Sequence, residues 1–181
     1  MAKYVALLRG INVGGKNMVS MKSLVECFSA AGYGDVRTYI QSGNVMFAAD
    51  SSSSAELEDA IERMLQQRFD TEILTVVRSR DELAATIAAA PSDHGSEDLL
   101  SDVLFLKRPF TAAEAMVQLP ELNENVDSIG PGPDALYFSR TVADSSKSRI
   151  DRLRSKRLSQ RMTVRNWRTT KRLLELLDTV S

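Results

Sequence analysis

The stretch that decides the fold is Val36-Arg37-Thr38-Tyr39-Ile40-Gln41-Ser42-Gly43-Asn44-Val45-Met46-Phe47. Two runs that suit β-strands, Val36–Ile40 and Val45–Phe47, flank the tetrapeptide Gln41–Asn44. Gly and Asn tolerate the positive φ angles that a tight hairpin turn requires. The stretch therefore predicts two antiparallel strands, an arrangement that does not fit a parallel sheet.

The elements on both sides of this hairpin complete a known order. A buried strand is predicted at Tyr4–Leu8, and apolar residues at helical spacing predict a helix over 21–31. After the hairpin, Ser53 and Glu56 form a capping box that predicts a second helix, and Ile73–Val77 predicts a fourth strand. Residues 1–78 thus read β-α-β-β-α-β, the ferredoxin-like order.

The second half of the chain partly repeats this order. Its signals are capping boxes at Ser79/Glu82 and Thr111/Glu114, strands at Val103–Leu106 and Ala135–Phe138, a turn or loop at Gly130–Pro133, and basic helices over 147–158 and 164–177, the second capped by Thr163. We therefore expect an α+β fold of two ferredoxin-like halves with antiparallel sheets, residues 1–78 and 79–181, the second ending in basic helices.

Charge is segregated along the chain although the net charge is −1. Residues 147–172 contain eleven Lys and Arg but only Asp151 as an acid, whereas residues 50–144 contain nineteen acids and seven bases. Such asymmetry bears on partners rather than on fold. Two explanations stay open: either the basic segment binds an anionic partner, or the acidic middle neutralises it.

Composition excludes several classes of protein. No run approaches the roughly 20 apolar residues of a membrane helix, and the N-terminus lacks the apolar region of a signal peptide. The single cysteine, Cys27, excludes an internal disulfide framework and a cysteine-rich zinc site, and its position favours a packed core residue. We expect a cytoplasmic protein that needs no membrane.

The loop Gly10-Ile11-Asn12-Val13-Gly14-Gly15-Lys16-Asn17, here called the first loop, nearly matches a nucleotide-binding P-loop. The G-x-x-x-x-G-K skeleton is present, but Asn17 replaces the Ser or Thr that binds Mg²⁺. The apolar helical pattern also begins only at Met21. A true P-loop is therefore not expected. Two interpretations remain: an anion site built from backbone N–H groups, Arg9 and Lys16, or a connection that only turns the chain.

Several motifs resemble the bacterial family called domain of unknown function 1697. They are Leu7–Asn17, Thr38–Val45, Val77-Arg78 leading to Glu82-Leu83, and Thr163-Val164-Arg165-Asn166-Trp167-Arg168-Thr169, where the family more often has Asn in place of Arg168. The likeness spans nearly the whole chain. It implies an α+β fold of two ferredoxin-like halves, and it implies no established activity.

The motifs suggest which polar residues form a ligand site. Amides and cations dominate the set and carboxylates are absent, which suits an anionic ligand better than proton transfer. The candidate anion-binding residues are Arg9, Asn12, Lys16, Asn17, Gln41, Ser42, Asn44, Arg165, Asn166 and Arg168. The alternative for Gln41–Asn44 is a purely structural turn. Trp167 shares a helix face with Leu174 and Leu177, which favours a packing role over stacking.

The only histidine, His94, lies in the polar segment Pro91–Ser96 without a paired nucleophile. Its neighbours Asp93, Glu97 and Asp98 could attract a cation, but a solvated acidic loop is favoured. With a single histidine, classical Ser-His-Asp and two-histidine metal mechanisms are excluded within one chain. We expect no metal and no cofactor.

Three functions follow from these residues. The first is a protein that binds a phosphate-bearing partner such as RNA or DNA through the first loop and the basic C-terminal helices. The second is an enzyme that acts on a phosphorylated or acidic metabolite. The third is a structural or interaction protein without a catalytic site, in which the basic segment covers the acidic middle. The sequence leaves the existence of an enzyme activity, the ligand and the oligomeric state open.

Overall fold

The structure is a computed structural model that describes residues 1–15, 17–41, 43–50, 53–154 and 156–181. The chain forms two compact units. The first contains Met1–Leu83 and Leu173–Ser181, and the second contains Ala84–Arg172.

The first unit is an antiparallel sheet with two helices. Its elements are β1 (Ala2–Leu8), α1 (Met21–Ala30), β2 (Gly34–Tyr39), β3 (Asn44–Ala49), α2 (Ser54–Phe69) and β4 (Thr75–Ser79), after which α3 (Arg80–Ala88) leads into the second unit. The strand order β2-β3-β1-β4 confirms the ferredoxin-like prediction, and the β2–β3 hairpin pairs Tyr39 with Asn44.

Alternation of side chains explains the core of this unit. Ala6 and Leu8 of β1 and Val45 and Phe47 of β3 point to the same side of the sheet, where the apolar faces of α1 and α2 cover them. The helices contribute Leu24, Phe28, Leu57, Ile61 and Leu65, all of which are buried. The capping box of Ser53 and Glu56 fixes the start of α2, as predicted.

The second unit repeats the strand order with a different second crossover. Its elements are β5 (Leu99–Leu106), α4 (Ala112–Val117), β6 (Asp127–Gly132), β7 (Ala135–Thr141), 3₁₀ helices at Ser145–Lys147 and Ile150–Arg154, α5 (Lys156–Ser159), β8 (Met162–Asn166) and α6 (Trp167–Leu177), whose last residues belong to the first unit. The order β6-β7-β5-β8 corresponds strand for strand to that of the first sheet. The fold is therefore α+β with two ferredoxin-like halves.

Two local predictions in this unit are wrong. The segment Gly130–Pro133 is not simply a turn, because residues 130–132 form the end of β6 and pair with Tyr137, Leu136 and Ala135 of β7. A proline is compatible with this position because β6 is an edge strand, in which alternate backbone nitrogens point away from the neighbouring strand.

The basic C-terminal segment also differs from the prediction. The helix expected over 147–158 is broken into two 3₁₀ helices and the short α5, and the helix expected from Val164 begins only at Trp167. Residues 162–166 instead form β8, which pairs with β5. Thr163 is therefore not the cap of the last helix; the side-chain oxygen of Asn166 accepts from the Thr169 N–H at 2.7 Å.

None of the helices within the described ranges combines the length and the apolar character that a membrane-spanning helix needs.

Candidate functional site

The first loop follows β1 and has an unusual backbone. Five of its residues adopt positive φ angles, namely Gly10, Asn12, Gly14, Gly15 and Asn17. The loop is closed by the Asn12 N–H, which donates to the Asn17 carbonyl at 3.2 Å, and by Asn17 Nδ2, which donates to the Gly10 carbonyl at 3.2 Å. Positive-φ residues that follow right-handed ones are a feature of known anion-binding loops, in which successive N–H groups turn toward one side. In this loop the Asn12 N–H is already bonded to the Asn17 carbonyl.

The Asn12 side chain holds this loop in place. Its Nδ2 donates to the carbonyls of Val19 and Gln41 at 2.9 and 3.1 Å, and its Oδ1 accepts from the Val19 N–H at 2.8 Å. The hairpin also approaches the loop at Gly43, where a Cβ atom would lie 2.8 Å from Ile11 Cδ1. The structure thus brings the first loop and the hairpin together, with Asn12 as a positioning residue.

The remaining candidates of the first unit have different environments. Asn44 is fully buried and donates through Nδ2 to the Tyr39 carbonyl at 2.9 Å, so it stabilises the hairpin. The Arg9 guanidinium is half-buried, and burial lowers its pKa; it has no ion pair with a described residue. Gln41 is exposed. Lys16 and Ser42 lie outside the described residues.

Arg165 is an internal residue of the second unit. Its Nη1 donates to Thr163 Oγ1 at 3.0 Å and to the Val164 carbonyl at 2.8 Å, and burial lowers the pKa of Arg165 to about 10. A guanidinium that is this deeply buried and bonded to its own strand is poorly placed to contact a large partner.

A cleft of about 420 Å³ opens in the second unit, beside the junction of β8 and α6. We call it the cationic cleft, and its polar wall consists of Asp102, Arg140, Asn166, Trp167, Arg168 and Lys171. These side chains come from β5, β7, β8 and α6. The cleft therefore includes two of the predicted site residues, Asn166 and Arg168.

Positive charge dominates this cleft. Arg140, Arg168 and Lys171 supply three cations, and in the described part of the chain none of them forms an ion pair. The Nε of Arg140 is buried and has no hydrogen-bond partner among the described atoms. Asp102 is the one carboxylate in the described lining, and burial raises its pKa, against the opposing effects of Arg140 and Arg154. The cleft therefore carries unpaired donors and a net positive charge.

The loop around His94 is solvated, since Asp93, Glu97 and Asp98 are exposed, but the His94 side chain itself is buried behind the wall of the cleft. Its side chain is only 8% exposed, and its ring contacts Trp167 edge-on with centroids 4.7 Å apart. Nδ1 lies 3.2 Å from Ser139 Oγ, which is 2.8 Å from Ser101 Oγ in the cleft lining. Burial lowers the pKa of His94.

Gly95 explains how the Trp167 ring reaches this position. Gly95 has a φ of +83°, and a Cβ atom there would lie 2.1 Å from Trp167 Cδ1. The indole thus packs directly on the glycine backbone, and Trp167 is half-buried while it also lines the cleft. The packing role expected for Trp167 and contact with a ligand are both compatible with this position.

The basic C-terminal segment is partly neutralised. Glu121 of the acidic middle pairs with Arg149 and Arg152 at 3.2 and 3.6 Å, and short-range pairs join Lys147 to Asp144 and Arg154 to Asp151. Arg161 lies over the Phe110 ring at 3.9 Å from its centroid. At least four of the eleven cations of this segment are therefore paired with carboxylates, which reduces the charge available to an extended anionic partner.

Sequence reasoning missed Arg140, Asp102 and Lys171. Arg140 and Asp102 lie on strands β7 and β5 in segments with no recognisable motif. Lys171 carried a weak signal, since it lies four residues after Trp167 and therefore on the same helix face. Within the described ranges, no three His, Cys, Asp or Glu side chains cluster so that they could hold a metal ion.

Comparisons with known proteins agree with this architecture. The chain is similar in structure to the conserved bacterial protein SP0830 from Streptococcus pneumoniae, with a TM-score of 0.85 and 25% sequence identity over 97% of this chain and 98% of that one. No curated protein matches the chain. The model of the family described as "protein of unknown function (DUF1697)" matches residues 1–137, which is most of the chain. The chain therefore belongs to the DUF1697 family.

Proposed function

We propose that the protein binds a small phosphate-bearing molecule in the cationic cleft. The observation that carries this proposal is the set of three cations, Arg140, Arg168 and Lys171, which lack ion-pair partners among the described residues and share one cleft. A guanidinium binds phosphate well because it offers two parallel donors, and a lysine adds a point charge. Arg140 is half-buried, whereas Arg168 and Lys171 are exposed.

The start of α6 adds to this attraction. The helix runs for eleven residues from Trp167, and Trp167, Arg168 and Lys171 of its first turns line the cleft. The first N–H groups of a helix have no acceptor within the helix, and the helix dipole makes this end positive. The Thr169 N–H already donates to Asn166 Oδ1, so this end of α6 adds to the attraction of the side chains through the helix dipole.

The size of the cleft favours a small molecule over a long nucleic acid. Clefts of about 300–1,000 Å³ are typical of small-molecule sites. A groove for nucleic acid needs cations along an extended surface, whereas Arg149, Arg152 and Arg154 of the basic segment are engaged in ion pairs. RNA or DNA is therefore the alternative partner, and an enzymatic step on the bound metabolite is a further alternative.

The first loop is a second candidate anion site. It is favoured by its positive-φ backbone and by Arg9, whose guanidinium has no ion pair among the described residues. We place the ligand in the second unit first because three cations share one described cleft there. Arg9→Gln serves as the test of the first loop.

Isothermal titration with ribose 5-phosphate tests the proposal. We expect saturable binding that weakens as salt rises, and a loss of about tenfold or more in affinity for the double variant Arg168→Gln/Lys171→Gln, because two charge-assisted contacts disappear. The matched control is Arg157→Gln, which removes an exposed cation of the same segment outside the cleft.

Three outcomes decide between the candidates. Equal loss in Arg157→Gln and in the double variant would show general charge attraction and contradict the cleft. Loss only in Arg9→Gln would move the site to the first loop. Binding of single- or double-stranded oligonucleotides, steeply weakened by salt, without binding of ribose 5-phosphate would favour the nucleic-acid alternative.

A further inference from the structure

The wall of the cationic cleft contains one large aromatic surface, which phosphate binding alone does not use. Trp167 is half-buried and lines the cleft beside Arg168 and Lys171. Indole rings offer a flat apolar face to ligands, and phosphate alone makes no apolar contact with such a face.

The indole is held rigidly. The His94 ring packs against it at 85° between ring planes, and Gly95 allows the backbone to approach so closely that no other residue fits without a shift. His94 is in turn fixed through Nδ1 and Ser139 Oγ, 3.2 Å apart. A rigid aromatic wall loses little conformational entropy when a flat ring packs on it, so it is well suited to bind one.

The charges lie close to this ring. Lys171 Nζ is 5.8 Å from the Trp167 ring centroid, and Arg168 lines the same cleft as Trp167. A ligand that satisfies both features therefore has a flat ring and a phosphate joined by a short linker. Nucleoside monophosphates have this shape, since one sugar separates the base from the phosphate.

Asp102 adds a group of opposite charge to the described lining of the cleft. As the one carboxylate in the described lining it repels a phosphate but accepts hydrogen bonds from the N–H groups of a base edge. The single acid thus orients such a ligand, with its phosphate toward Arg168 and Lys171 and its base edge toward Asp102. Burial raises the pKa of Asp102, which also lets the group donate when it is protonated.

We infer that the ligand of the cationic cleft is a nucleoside monophosphate whose base packs on Trp167. This inference rests on the proposed function and names the ligand class for the same cleft. It adds that the ligand carries a flat ring that packs on Trp167, which the phosphate contacts alone do not require.

Trp167 is the only tryptophan of the chain, so its fluorescence reports on the cleft. We would titrate the protein with adenosine 5′-monophosphate, adenosine and ribose 5-phosphate, following tryptophan emission and heat. Base–aromatic stacking predicts that adenosine 5′-monophosphate quenches Trp167 and binds about tenfold more tightly than ribose 5-phosphate.

Variants separate the ring from the charges. Trp167→Leu should reduce the affinity for adenosine 5′-monophosphate to that for ribose 5-phosphate, and Trp167→Phe should keep part of the difference. Because Trp167→Leu also loses packing on His94, its fold is checked by circular dichroism and by its retained binding of ribose 5-phosphate; if it does not fold, the comparison of wild type with Trp167→Phe decides.

The two proposals fail in different ways. Equal affinities for ribose 5-phosphate and adenosine 5′-monophosphate would overturn the nucleotide assignment and leave phosphate binding intact. Quenching by an oligonucleotide but not by the mononucleotide would also overturn the assignment. Absence of binding by all three small molecules would overturn both.

Discussion

At the scale of single residues, His94 shows how burial sets the chemistry of a titratable group. Its side chain packs against the rings of Tyr137 and Trp167, and its Nε2 has no hydrogen-bond partner among the described atoms. Desolvation penalises the charged imidazolium, so it lowers the pKa, and the nearby Asp93 opposes this effect only in part. His94 is therefore a neutral packing residue at neutral pH.

This lowered pKa predicts that the protein loses stability in mild acid. In the unfolded chain His94 titrates near 6.5, while in the folded protein its pKa lies below that value. Below pH 6.5 the unfolded state thus binds more protons, and the free energy of unfolding falls as the pH falls through the folded-state pKa. Urea denaturation at pH 7.5 and 5.5 should show a larger decrease for the wild type than for His94→Gln.

The comparison of the two proteins isolates the histidine, because their carboxylates are the same. A decrease of the same size in both would show that other groups, and not His94, cause the acid sensitivity. An increase of stability in the wild type at pH 5.5 would contradict the direction of the pKa shift.

At the scale of elements, glutamate carboxylates accept hydrogen bonds along the free edge of strand β4. The N–H groups of Thr75, Val77 and Ser79 donate to carboxylate oxygens of Glu62, Glu58 and Glu82 at 2.9, 3.1 and 2.7 Å. Alternate residues of an edge strand point their N–H groups away from the sheet, where they would otherwise attract another strand. The acids of α2 and α3 thus close this edge.

One of these glutamates also forms a buried ion pair, which makes a strong prediction about stability. Glu58 and Arg78 are 3.0 Å apart, and both side chains are only 1% exposed. Arg78→Met leaves the Glu58 carboxylate buried without its cation, which should cost about 3–5 kcal/mol of unfolding free energy in urea denaturation.

The matched control is Arg80→Met, two residues further along the chain. Arg80 is paired with Asp178 and Asp81 but is 41% exposed, so water replaces the lost contacts and the change should be far smaller. Similar losses in the two variants would contradict the importance of burial. Recovery of stability in the double variant Glu58→Gln/Arg78→Met, relative to Arg78→Met, would confirm that the unpaired carboxylate causes the loss.

The helices and strands differ in how well the sequence predicts them. The hairpin and all three capping boxes were predicted correctly, because each depends on residues close together in the chain. Strand β8 was missed because it is only five residues long and owes its conformation to β5, about sixty positions earlier. Its burial also depends on a partner that no local pattern reveals.

The candidate site was predicted only in part, because local motifs reveal some of its residues and long-range strand pairing brings in the others. Asn166 and Arg168 were identified because they belong to a recognisable motif at the start of α6. Arg140 and Asp102 reach the cleft only through the pairing of β5 with β7 and β8, in which Leu100 lies opposite Arg140 and Asp102 lies opposite Asn166. A site assembled from four elements is not visible in any one segment of the sequence.

At the scale of the whole molecule, the C-terminal segment is part of the fold. It supplies β8 to the second sheet and contributes Leu153, Leu158 and Met162 to the core of that unit. Residues 173–181 belong to the first unit, where Leu177 and Val180 are buried. The basic charges are therefore carried by a segment that both units need.

We predict that a chain truncated after Asp144 does not fold cooperatively. The deletion removes an entire strand and the apolar residues beneath it, so the remaining sheet cannot bury its face. Circular dichroism during urea denaturation should show no single sharp transition, unlike the full chain. A truncated chain that unfolds as sharply as the full protein would contradict this prediction.

A charge variant separates the structural role of the C-terminal segment from its electrostatic role. Arg149→Gln/Arg152→Gln removes the two cations that pair with Glu121, which is itself 80% exposed, while it keeps every apolar residue of the segment. Exposed ion pairs contribute little to stability, so the unfolding midpoint should stay close to that of the wild type. A large decrease would instead show that neutralisation of Glu121 holds the segment in place.

The single cysteine has a practical consequence for spectroscopy. Cys27 lies in α1 with 6% of its surface exposed, and burial raises its pKa, only partly offset by Arg68. The thiolate is the species that attacks maleimide dyes and thiol-reactive nitroxide labels, and it is scarce in such a setting. Cys27 should therefore react little with such labels. A thiol introduced by Lys22→Cys, where the native side chain is 87% exposed, would accept a fluorophore selectively.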